Sequence, residues 1–169
     1  MANASESRDA RRNAPRTSKE RNDVQRSLTK LLDSLAPERA TSRSERAPEQ
    51  IERYRTPTGC VLQAPTAALS LAWFPGPASG WELGQLHVVL WRGSVSRRGG
   101  GASRENASVI REWTLRPVEL SPGHWREDGD GAVYDLEGLT EHCLALLNAQ
   151  VQADDPTGSA KSTTPRRRD

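Results

Sequence analysis

The chain is short of aromatic residues and shorter still of cysteine, methionine and lysine. Among 169 residues there are five Trp, two Tyr and one Phe, and residues 1–50 contain none of them. An apolar core therefore has to be assembled from the later part of the chain. This predicts one small ordered domain of about 90 residues. Two cysteines, Cys60 and Cys143, are too few for a disulfide framework. Each stands in an apolar context and reads as a small buried hydrophobe. No apolar run approaches the ~20 residues that span a bilayer, and the polar N-terminus carries no signal-peptide pattern. The expectation is a cytoplasmic protein without membrane contact. Lysine is nearly missing: 21 of 24 basic residues are Arg, a bias that a GC-rich bacterial genome explains.

Several chemistries lack their motifs. No Cys/His spacing suits zinc, no Gly-x-Ser-x-Gly elbow is present, and no Gly-Lys-Ser/Thr follows the glycine run at Gly99–Gly101. No cofactor is expected. Net charge is +2, but the excess sits in the arms. Residues 51–150 are slightly acidic, which argues against a dedicated nucleic-acid-binding core.

The strongest strand signal is Leu83 to Trp91. Alternation puts Leu86, Val88 and Leu90 on one dry face and Gln85, His87, Val89 and Trp91 on a mixed one, as in an antiparallel sheet with a helix on one side. Cys60–Ala64 and Ala67–Phe74 are further strands, the second with Ala67, Leu69, Leu71 and Trp73 on one face. Val109–Leu120 comes next, with Val109, Trp113 and Leu115 expected together. Arg111 interrupts that apolar face and marks a bulge or a snorkelling side chain. Short strands flank Asp128–Gly131. A final helix from about Leu136 to Gln150 has Asp135 as its cap and Leu136, Leu139, Cys143, Leu146 and Leu147 as its stripe. Near the N-terminus, Val24, Leu28, Leu31, Leu32 and Leu35 recur at helical spacing until Pro37 stops the pattern, and this stripe must dock on the core, on a second copy or on a partner.

The run Arg126 to Glu137 resembles the calcium loop of an EF-hand. The resemblance implies Asp128 and Asp130 as early ligands, Gly131 at the bend and Glu137 as the closing bidentate ligand. It covers 12 residues. It departs from the pattern at Arg126, a cation in the first ligand slot, and the preceding segment is not helical. A glycine-rich hairpin turn accounts for the same residues. The loop around Gly99–Gly101 carries Arg97, Arg98 and Arg104, which could grip phosphate. His87 and Trp91 could border a small-ligand pocket, and Cys60 could lie near His87 across the sheet. Most Trp residues are expected in the core, with Trp81 and Trp125, beside turns, the most exposed. Glu112, Glu119 and Glu127 read as solvated strand positions.

The sequence thus predicts an α+β fold: an antiparallel sheet of about five strands with the C-terminal helix on one face, an amphipathic helix over residues 18–36 on a linker (37–50), a domain over 51–151 and disordered arms at 1–17 and 152–169. The functional expectation is a non-enzymatic protein-interaction or regulatory adaptor domain. It would bind a protein partner, or a second copy of itself, through Leu28, Leu31 and Leu35 or through a sheet edge. The alternatives are weak nucleic-acid association through the arms and Arg97, Arg98 and Arg104, and a ligand-binding domain or enzyme with a pocket near His87 and Trp91.

Overall fold

The structure, a computed structural model, describes residues 18–37, 51–78, 82–95, 107–119, 121–129 and 131–154. The fold is α+β. Helix α1 (Ser18–Leu35) precedes seven strands: β1 (Glu52–Thr56), β2 (Gly59–Gln63), β3 (Ala67–Pro75), β4 (Gly84–Arg92), β5 (Ser108–Pro117), β6 (Trp125–Glu127) and β7 (Val133–Tyr134). Helix α2 (Leu136–Ala153) closes the chain. The strands pair antiparallel in sequence order, so the sheet is one uninterrupted meander.

Register turns the alternation of each strand into rows across the sheet. Leu62, Leu69 and Leu90 form one row; Cys60, Leu71, Val88 and Trp113 the next; Trp73, Leu86 and Leu115 a third. All are buried, and with the helix leucines they make a single core. Trp73 meets Trp125 edge-on at 5.9 Å. Together with Trp113 these two rings supply the large core volumes that Phe and Tyr do not. Trp125 is 1% exposed, so its place beside a turn does not expose it: its strand directs it inward.

Helix α2 lies over this face, as its stripe predicts. Asp135 caps it, accepting from the Gly138 amide at 2.8 Å, and Leu139, Cys143 and Leu147 are buried. Leu146 is only half-buried, because the helix is rotated so that Leu147 points squarely at the sheet. The helix also runs past the expected boundary, to Ala153 with Asp154 as C-cap.

Helix α1 has the destination that its stripe leaves open: of core, second copy and partner, it docks on the core. Leu28, Leu31, Leu32 and Leu35 are all buried in the same core as the sheet and α2. Arginines tie both of its ends. Near the start, Arg21 Nη2 donates to Pro77 O at 2.7 Å. At the end, Arg53 Nη1 donates to Leu35 O at 2.9 Å and Arg55 pairs with Asp33. Cations at a helix C-terminus also suit its dipole. This explains the strand that alternation missed: the inward positions of β1 are Arg53 and Arg55, so Glu52–Thr56 shows no apolar face. Leu28, Leu31 and Leu35, expected as a partner-binding stripe, are covered by the chain itself.

Two details of β5 and β6 differ from expectation. The register shifts between Leu90/Arg111 and Trp91/Val109, leaving Ile110 as an extra residue. This bulge moves Val109 off the face of Trp113 and onto that of Trp91. Glu127 is not solvated but 4% exposed, because its row faces the helices.

Both thiols are fully buried. Burial pushes the Cys60 and Cys143 pKa values up from 9.0 to about 12. Below pH 9 each is neutral in both the folded and unfolded chain. Between pH 9 and 12 the unfolded chain ionises first, so stability falls as pH rises. The loss should approach about 1.4 kcal/mol per pH unit for each thiol. Urea unfolding at pH 8 and 10.5 should show this drop in wild type and a shallower one in the C60A/C143A variant. Leu31→Ala should cost ~2–5 kcal/mol at neutral pH, and a chain without residues 1–36 should lose cooperative unfolding. If that truncated chain still unfolds sharply, α1 is not part of the folding unit.

Candidate functional site

Both helices pack on one side of the sheet. The other side has no element of the described chain over it. Five large apolar residues are exposed among the described residues: Tyr54, Phe74, Val109, Ile110 and Val133. Pairing places every one of them on the uncovered side. Tyr54 stands opposite Val61, Phe74 opposite Gln85, Val109 opposite Trp91, and Val133 opposite Arg126, which stands opposite Arg116. Ile110 shares the side of Glu112 by alternation. The bulge therefore sets two β-branched residues beside Trp91, where a regular ladder would show one.

The polar groups of this side are largely occupied. Trp91 Nε1 donates to Ser70 Oγ at 2.9 Å. His87 Nε2 lies 3.0 Å from Gln85 Nε2, its Nδ1 is 3.7 Å from Glu112, and Phe74 meets its ring edge-on at 4.8 Å. Charge is balanced: Glu52 and Glu112 stand against Arg116 and Arg126. The result is a face on which apolar and satisfied polar positions alternate, and which holds all five exposed large apolar residues of the described chain.

The edges are closed to strand addition by contrast. One edge is β1, with Glu52, Arg53 and Arg55 among its five residues. The other is β7, only two residues long. Charge and brevity are the usual protections of an edge.

The helix side holds one buried carboxylate network. Glu127 accepts from Arg111 Nη2 at 2.6 Å and from Tyr134 Oη at 3.2 Å. The Arg111 guanidinium also lies 4.8 Å from the centre of the Trp113 ring, and His142 stacks on Tyr134 at 4.8 Å. Arg111, which breaks the apolar pattern of its strand, is there to neutralise Glu127. Only the carboxylate of this pair is fully buried, so loss of Arg111 would strand a charge inside the fold.

The other sequence-derived candidates do not assemble. Cys60 and His87 lie on opposite sides of the sheet, since Cys60 pairs with Leu71 and His87 with Ala72. His87 and Trp91 share the open side. A cleft of about 450 Å³ lies elsewhere, between α1 and the start of α2, lined by Asp23, Arg26, Lys30, His124, Asp135 and Leu136 among others. In the EF-hand-like run, Asp128 is engaged by Arg116 Nε at 3.1 Å and Glu137 lies in the first turn of α2. Asp130 lies outside the described residues. Gly129 and Gly131 take positive φ between β6 and β7, the geometry of a hairpin connection. No group of three or more metal-ligating side chains occurs among the described residues. Arg97, Arg98, Arg104 and Trp81 lie outside the described residues, as do the expected arm at 1–17, nearly all of the expected linker and the tail beyond residue 154. No helix of the described residues is long and apolar enough to cross a membrane. Comparison with protein-family models, curated proteins and solved structures finds no match.

Sequence reasoning missed the open face because it treated strand residues as inward or solvated. The signal was nonetheless present: Val89, Trp91 and Phe74 on the mixed side of their strands exceed what a wetted face needs. The Glu127 network yields a prediction. Arg111→Ala should destabilise the chain by ~1–3 kcal/mol. That is less than the ~3–5 kcal/mol of a fully buried broken pair, because the Arg111 side chain is 45% exposed and Tyr134 remains. Chemical denaturation of R111A beside R111A/E127L measures it, with the double variant regaining part of the loss.

Proposed function

We propose that this chain is a non-enzymatic interaction module, an adaptor or regulatory domain, that meets protein through the open face of its sheet. One observation carries this reading: every exposed large apolar residue of the described chain falls on that face. Blunted edges support a face-on rather than an edge-on encounter, which replaces strand addition as the expected mode. The leucines of α1 play a different part. They hold the sheet rigid from behind, so the face can be presented without reorganisation. The alternative, nucleic-acid association through the basic arms and Arg97, Arg98 and Arg104, gains nothing from the open face, where Glu52 and Glu112 offset Arg116 and Arg126. It predicts binding that weakens steeply with salt.

Affinity capture with quantitative mass spectrometry tests the reading, using wild type, Phe74→Asp and Val109→Asp as baits. Both substitutions are at exposed positions and should leave unfolding nearly unchanged. A charge placed within an apolar contact should weaken binding by at least ~30-fold. A prey, or a second copy of the bait, retained by wild type and lost from both variants is expected. Identical capture by all three baits rejects the open face as the binding surface.

A further inference from the structure

We draw no further inference here: the strongest candidate, the cleft between α1 and the start of α2, is lined by Asp23 and Asp135 as well as by Arg26 and Lys30, and none of the buried polar atoms left without a hydrogen bond among the described residues belongs to its lining, so nothing selects a ligand for it.

Discussion

The burial of the α1 leucines is the contact on which the architecture depends. Each helix has 18 residues, hence a length of about 27 Å. Two helices side by side, about 10 Å apart, cover a strip of roughly 27 by 20 Å. One face of the sheet is of similar size. Neither helix alone suffices, and no described element is left over once both are placed. Leu28, Leu31, Leu32 and Leu35 therefore settle two matters together: the inner side of the sheet is dry, and the outer side has no helix of the described chain over it, only the turn whose Val95 amide reaches Gln63.

Arginine serves this packing more than it serves a partner. Arg21, Arg53 and Arg55 tie α1 to the sheet side; Arg92 reaches Asp154 at the end of α2; Arg111 neutralises Glu127; Arg116 holds Asp128. A planar guanidinium with five donors can satisfy a helix end or a carboxylate while its stem packs on apolar neighbours. Because these cations are engaged internally, the basic composition of the chain says little about phosphate binding by its folded part. The residues that could add to it, Arg97, Arg98 and Arg104, belong to a different stretch.

Features set by local periodicity were legible in the sequence. Alternation in Ala67–Trp73 and Leu86–Trp91 identified the right inward residues, and Asp135 ahead of a leucine stripe marked the cap of α2. Three things were not legible, each for a physical reason. The stripe of α1 showed that the helix must be covered but not by what, since amphipathicity is blind to the identity of the covering surface. Strand β1 was missed because Arg53 and Arg55 occupy positions where the pattern looks for apolar side chains. The burial of Glu127 was hidden because it depends on Arg111, 16 residues earlier in the chain and two positions from Trp113 on a strand whose bulge cannot be placed from sequence. That same bulge carries Val109 to the outer side. One unpredicted residue, Ile110, thus alters both the core and the candidate site.

The contrast between guarded edges and an unguarded face bears on how such a molecule can associate. Strand addition at an edge leaves a fresh edge behind and so propagates into fibres. Face-to-face contact does not. The reverse of the sheet is already covered by α1 and α2, so a molecule that has paired its open face has no second apolar face to offer. Apolar side chains stand on that face, as at Phe74, Val109 and Ile110, while the backbone edges of the sheet stay guarded. Charge crowds the edge strand β1, and every exposed large apolar residue of the described chain points from the outer face.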